Sequence, residues 1–281
     1  MTVTLGSALI SLFLVFAVAV ALGLGIRRAA VRRGVSDNEN PLGNNEGLGP
    51  AVGFISGSTA FLLGVLMLAS LNHYDRAKEI VADEALAYSA AFDGTAGLAP
   101  ADQAKIRRDL VCLMRSVTTK SWAAASTQDL TGSENSHAWR ARAFDDLNAA
   151  EPKTKAQESS VGIVNSQLIN ASKAGQHRLL VAEGDLPTAL WILVYVSIFA
   201  LASMLTALLR DYLSPTLAAA ALTALLIVSA AMVTTLTVFA EPFSQGDGVY
   251  ISPRALNAVM IRLQGSYPDT NWAPCETLVN S

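Results

Sequence analysis

Residues 51–76 read AVGFISGSTAFLLGVLMLASLNHYDR, and this stretch decides the class of fold. From Ala51 to Leu71 it carries no charged side chain, over a length that as a helix crosses ~30 Å of hydrocarbon. It then passes straight into Asn72-His73-Tyr74-Asp75-Arg76 without a proline or a glycine. Three other runs are equally long and equally free of charge: Thr4–Ile26, Leu186–Leu209 and Pro215–Ala240. Hydrocarbon offers the backbone no hydrogen-bonding partners, so such runs cross as helices. The expected fold is all-α, an integral membrane protein with four transmembrane helices. A helical extramembrane domain is inserted between helices 2 and 3.

Four parts follow in chain order. Residues 1–71 form a transmembrane hairpin with spans at about 4–26 and 51–71 and a basic loop at 27–50. Residues 72–185 form the extramembrane domain. Residues 186–240 form a second hairpin with spans at about 186–209 and 215–240, and residues 241–281 form an extramembrane tail with a short helix. Composition agrees: 52% of residues are apolar and 15% charged, against ~25% charged in a typical soluble domain. A formal net charge of −3 and the lack of a Lys/Arg stripe with interleaved aromatics exclude a nucleic-acid binder. The first run lacks the positive n-region and the short h-region of a cleaved signal, so it is expected to stay as a span.

Orientation is read from charge. Arg27, Arg28, Arg32 and Arg33 follow the first span at once, and Arg210 lies between the third and fourth. Short loops rich in arginine stay in the cytoplasm, whereas long domains translocate with little regard to charge. Arg76, Lys78, Lys173 and Arg178, near the other span ends, belong to the long insert and weigh less. Both termini and the Asn72–Asp185 domain are therefore expected outside the cytoplasm. Cys112, in the insert, and Cys275, in the tail, then share one side. If that side is oxidising, a disulfide between them would staple the tail to the domain. The alternative is two unpaired thiols. His73, His137 and His177 are far apart and no Cys/His group has ligand spacing, so neither a metal site nor a cofactor is expected.

The insert reads as helical throughout. Ile106, Leu110, Leu113 and Val117 form one stripe of a helix over Pro100–Trp122, with Pro100 suited to the first turn. Ser133–Asn148, with Trp139 and Phe144, and Thr154–Val181, with Val161, Val164, Leu168 and Ala171, are two more. Breaks are expected at Asp93–Ala99, Thr131–Ser133 and Glu151–Pro152. No breaker interrupts Gly64 to Tyr88, so span two is expected to run on into the insert. Asp75, Glu79, Asp83 and Glu84 on this helix read as a solvated acidic face.

Within span two, Gly53, Gly57, Ala60 and Gly64 share one face, with Ser56, Ser58 and Thr59 at similar depth. Small residues let helices approach closely, while hydroxyls and exposed backbone can line an ion path. Span four repeats the theme with Ser229, Ala230, Thr234, Thr235 and Thr237. No span holds an ionisable residue in its interior, which argues against proton-coupled transport. Nucleotide-binding, zinc-hydrolase and nucleophile-elbow motifs are absent, so no enzyme activity is expected.

Three stretches together resemble the bestrophin-like domain family of bacterial multi-pass membrane proteins. They are the passage from Gly64 to Ala85, with Tyr74, Asp75, Arg76, Glu84 and Ala85; Pro187 and Trp191 opening span three; and Glu241-Pro242-Phe243-Ser244-Gln245-Gly246. The last is followed by Val249-Tyr250-Ile251-Ser252-Pro253 and an apolar helix Leu256–Leu263. The resemblance covers about Gly53 to Leu263. It departs from the usual pattern at Ala240-Glu241 before Pro-Phe and at Gln245-Gly246-Asp247-Gly248. It implies a protein of the bacterial plasma membrane similar in outline to bestrophins, which are oligomeric anion channels. In those the large helical part is cytoplasmic, opposite to the orientation the arginines indicate here.

Two functions are consistent with these features. One is an oligomeric channel for small anions, with span two lining the path and Asn72, His73, Asp75 and Arg76 at its mouth. The other is a non-conducting sensor or accessory subunit of a membrane complex, anchored in the lipid bilayer and contacting a partner through the helical domain.

Overall fold

A computed structural model of the chain describes residues 5–32, 48–127, 133–182, 188–212, 215–240, 242–243 and 250–276. Every extended regular element among them is a helix. The chain divides into two compact units, Met1–His73 with Asp185–Ala240, and Tyr74–Gly184 with Glu241–Ser281. The division falls inside one helix.

In the first unit, α1 (Leu5–Arg32), the first part of α2 (Leu48–Gly94), α7 (Thr188–Tyr212) and α8 (Pro215–Ala240) supply the elements. Each contains a segment long and apolar enough to cross a membrane. Leu12, Ala19, Ile198, Ala202 and Val233 are buried between the helices, whereas Phe54, Phe61, Ile192 and Ile227 lie on the outside. An apolar exterior is unfavourable in water and suited to lipid. Hydroxyls inside the unit bond locally: Thr206, Thr237 and Thr235 donate to the carbonyls of Ala202, Val233 and Ala231, one turn back. Tyr195 on α7 reaches across to donate to the Ala8 carbonyl of α1 at 3.1 Å.

Besides α2, two helices outrun their apolar runs. Arg27, Arg28 and Arg32 belong to the last turns of α1, not to a loop, and Arg210 lies within α7. No proline or glycine stands between Ile26 and Arg32, and basic residues favour a helix C-terminus through the macrodipole. Arg33 and the rest of the expected loop through residue 47 lie outside the described residues. So do residues 128–132, residues 183–187 with the motif proline Pro187, and residues 241 and 244–249 of the late motif.

The second unit holds the rest of α2, α3 (Pro100–Ser116), α4 (Trp122–Thr127), α5 (Glu134–Asn148), α6 (Lys155–Ala182) and α9 (Arg254–Ser266). α2 runs as one helix past Tyr88 to Gly94, where a short 3₁₀ turn (Thr95–Gly97) ends it before Pro100 opens α3 in its first turn. Ala77, Val81, Ala85, Tyr88 and Phe92 recur at helical spacing and are buried. They meet Ile106, Leu110 and Leu113 of α3, Ala143 and Leu147 of α5, Val164 and Leu168 of α6 and Leu256 and Leu263 of α9 in one core. The expected helix over Pro100–Trp122 is instead two α-helices joined by a π turn, Val117–Ser121.

Close helix approaches use glycine at specific points. A Cβ on Gly23 of α1 would lie 2.8 Å from the Ser203 carbonyl oxygen of α7. Gly94 similarly faces Ile163 of α6, at 2.9 Å. Gly23→Ala is therefore expected to destabilise the first unit by about 1–3 kcal/mol through overpacking. Gly25→Ala, where a Cβ meets open space, should be neutral or slightly stabilising. Thermal unfolding of the detergent-solubilised chain distinguishes the two.

Candidate functional site

Glu84 falls on the core stripe of α2 and is fully buried. That corrects the expectation of a solvated acidic face, which holds only for Asp75, Glu79 and Asp83. A carboxylate removed from water needs a partner. Arg178 of α6, itself 1% exposed, donates from Nε to Glu84 Oε2 at 2.8 Å. Its Nη2 donates to Ser121 Oγ at 3.3 Å. The guanidinium lies over the Trp122 ring, 4.9 Å from its centroid. Phe243 also meets Trp122 in an edge arrangement, with centroids 5.6 Å apart.

The backbone is shaped around this cluster. The π turn puts an extra residue into the helix and ends in Ser121 and Trp122, the two residues that touch Arg178. Thr118 and Thr119 donate their hydroxyls to the Arg115 carbonyl at 3.1 and 2.7 Å, occupying an acceptor where the ladder changes pitch. At Gly175 of α6 a Cβ would lie 2.9 Å from Glu84 Oε1 and 3.6 Å from Arg140 Nη2, so only glycine lets the carboxylate approach. Tyr88, one turn beyond Glu84, is wholly buried. Burial pushes its phenol far above the usual range; Glu84 adds to that, while Arg140 and Arg178 oppose it. Tyr88 is thus a neutral hydroxyl at any ordinary pH. Arg140 of α5 stands beside it.

Two further polar clusters fasten the same unit. Cys112 of α3 and Cys275 of the tail form a disulfide. Around it Arg108 donates to the carbonyls of Asn271, Ala273 and Pro274, and Arg115 to those of Trp272 and Ala273. Trp272 stacks on Phe92 at 5.9 Å. The Arg107 guanidinium lies 4.3 Å from the Tyr267 ring centroid, and Tyr267 donates to Asp93 at 2.9 Å. In the other cluster Asp109 of α3, 1% exposed, faces Arg142 of α5 at 3.3 Å. Burial, reinforced by the Asp146 carboxyl, pushes Asp109 up to about 7, against the pull of Arg142 and Arg108.

The sequence-derived positions separate into groups. Ala85 and Phe243 belong to the buried core, and Glu84 is buried in the same unit. Tyr74 packs at its margin, and Asp75 and Arg76 are exposed. Pro242 accepts the Ile251 amide at 2.7 Å, and Ser252 and Pro253 lead into α9, with Pro253 as its N-cap. Asn72 is exposed and His73 half-buried, at the end of the first unit. Along span two Thr59 is buried and Ser58 half-buried, while Gly53, Ser56, Gly57, Ala60 and Gly64 are exposed. A Cβ on any of those three glycines would have no atom within 4 Å. Arg178, Ser121, Arg140 and Tyr88 were not legible as site residues. Arg178 looked like one more basic residue near a span end.

A family model described as Bestrophin-like domain matches residues 13–256. The chain belongs to the bestrophin-like family. No curated protein and no solved structure matches it. Membership covers both halves of this bestrophin-like protein, from within α1 to the start of α9. It agrees with four helices apolar enough to span a membrane and marks the chain as a membrane protein of bestrophin type.

Removing one member of the buried pair leaves the other charge without compensation. Arg178→Met is expected to destabilise the second unit by about 3–5 kcal/mol. The double variant Glu84→Gln with Arg178→Met should recover part of that loss, measured by denaturant unfolding. Asp109 predicts a pH dependence of defined sign. Its carboxyl holds the proton more tightly folded than unfolded, so its contribution is full below about pH 4 and falls away as pH rises to about 7. Asp109→Asn should flatten that decline and raise the melting temperature at pH 7; an unchanged pH profile would count against it.

Proposed function

We propose that this bestrophin-like protein is a multi-pass protein of the bacterial plasma membrane that assembles with copies of itself and passes small anions along α2. The observation that carries the reading is the uncovered face of α2. Its small residues Gly53, Ser56, Gly57, Ala60 and Gly64 are left exposed by the chain's own helices, whereas Thr59, Leu66 and Ser70 are buried. A face of small residues in lipid gains little from solvation by acyl chains and much from close packing with another helix. The same face offers hydroxyls and approachable backbone to an ion. Ser56 donates to the Gly53 carbonyl at 3.2 Å, so it must rotate to present its proton to an anion. No enzymatic chemistry is assigned to the chain.

We place the second unit and both termini outside the cytoplasm. The arginines at the end of α1 and in α7 support this, and so does the Cys112–Cys275 bridge, which persists in an oxidising compartment. Burial of Arg178 in an ion pair removes one positive charge from the opposing side. The second reading, a non-conducting sensor or accessory subunit, draws on a groove of about 500 Å³ in the second unit. Asp83 and Leu86 of α2 and Lys173 and His177 of α6 line it; a partner protein would find both charge and apolar surface there.

Purified protein in liposomes should release chloride, and Gly57→Leu should slow release or block assembly seen by crosslinking. No flux from well-folded protein would leave the accessory-subunit reading. Orientation has its own test. With the native cysteines bridged, Ser159→Cys supplies the free thiol for an impermeant maleimide. Labelling in unpermeabilised cells is expected; labelling only after permeabilisation would reverse the topology.

A further inference from the structure

Besides fastening the tail, the Cys112–Cys275 bridge lies on the wall of an open groove of about 420 Å³, shared with Arg115, Thr119, Lys120 and Glu276. The two cysteines differ in access. Cys112 is 1% exposed and belongs to the core, whereas Cys275 is half-buried and packs at its margin. We infer that the bridge is a site of reversible thiol–disulfide exchange, opened by an incoming thiolate that attacks Cys275 from this groove. Disulfides sealed in a core resist reduction, whereas exposed ones are the labile ones. The step balances. The thiolate bonds to Cys275 Sγ as the Sγ–Sγ bond breaks, and the electron pair leaves on Cys112, which takes a proton from water. A second thiolate then attacks the sulfur joined to Cys275, and Cys275 departs and is protonated in turn. Two thiols become one disulfide, and the protein gains two electrons and two protons.

Charge favours this direction of attack. Arg108 and Arg115 stand one turn before and one turn after Cys112, on the same side of α3. Arg108 Nη2 donates to the carbonyl of Pro274, the neighbour of Cys275, at 2.7 Å, and Arg115 reaches the Ala273 carbonyl. The two guanidiniums therefore flank the bridge and favour the negative charge left on Cys112. A sulfur that carries that charge more easily leaves faster. For the approaching thiolate, Lys120 offsets Glu276 on the groove wall. Cleavage does not set the tail adrift. The hydrogen bonds of Arg108 and Arg115 to the carbonyls of residues 271–274 remain, as does the stack of Trp272 on Phe92. Both sulfurs stay neighbours, so the reverse exchange closes the bridge again. The chemistry belongs to the second unit by itself and does not depend on conduction.

The test uses the folded full chain in detergent, free of oxygen, with reduced glutathione or a reduced dithiol protein of the thioredoxin type. Acid quenching, unfolding, maleimide capping and peptide mass spectrometry then read each cysteine. With glutathione, a mixed disulfide on Cys275 and a capped Cys112 are expected at unchanged helical circular dichroism. Oxidised glutathione should restore the bridge. Reaction with glutathione makes a small thiol a sufficient donor; reaction with the dithiol protein alone keeps the site and assigns the donor to a protein. Single-cysteine variants read access directly. Cys112→Ser leaves Cys275, which should form a glutathione adduct in the folded chain. Cys275→Ser leaves Cys112, which should react at least about tenfold more slowly until the chain unfolds. An adduct on Cys112, equal rates in the two variants, or a bridge that opens only on unfolding overturns the inference. No arm reads chloride flux, so failure of the conduction proposal leaves this site standing.

Discussion

The second unit depends on a constraint of elementary electrostatics: a carboxylate on the core face of a helix cannot be left without a partner. Glu84 stands at that position on α2, and Arg178 of α6 meets it at 2.8 Å with neither group open to solvent. A pair of this kind is weak evidence of net stability, because desolvation offsets much of the attraction. What it does supply is register. α6 can lie against α2 only where Gly175 admits the carboxylate, and Ser121 reaches the guanidinium only because the π turn re-aims the end of the α3 segment. Phe243, from a late part of the chain, packs against Trp122 as well.

The same logic holds differently in the first unit, where no charged group is buried in the described core. There the polar groups are hydroxyls, and those of Ser203, Thr206, Thr235 and Thr237 donate to a carbonyl on their own helix. Helices that satisfy themselves in this way are free to pack by shape alone, which is why Gly23 matters at its crossing with α7 and why α2 can leave a small-residue face uncovered. Local satisfaction and an open face are the two conditions for association between helices in lipid.

The tail belongs physically to the insert. A disulfide closing 163 residues of separation limits the unfolded chain strongly. Arg108 and Arg115 direct their N–H groups to main-chain carbonyls of residues 271–274, with no carboxylate among those partners. Such contacts read backbone geometry rather than side-chain identity, so they hold the tail to α3 while α9 contributes Leu256 and Leu263 to the core.

Charge-free runs of membrane length, the stripe Ile106-Leu110-Leu113-Val117, and Pro100 at a helix start were all legible from sequence, because helical periodicity and chain-breaking are local properties. Continuity of α2 past Tyr74 followed in the same way from the lack of breakers, and the pattern from Tyr74 to Pro253 pointed to the bestrophin-like family. Burial of Glu84 was not legible. Asp83 and Glu84 are neighbours in the chain with the same chemistry, and only the packing of α6 puts one in water and the other against Arg178. Nor could sequence foresee what the π turn presents, since Ser121 and Trp122 meet Arg178, more than fifty positions away. The sequence by itself thus determined the helices and the membrane class, through short-range sterics and hydrophobicity. The tertiary structure decided which charged groups are paired, because that depends on desolvation by distant parts of the chain.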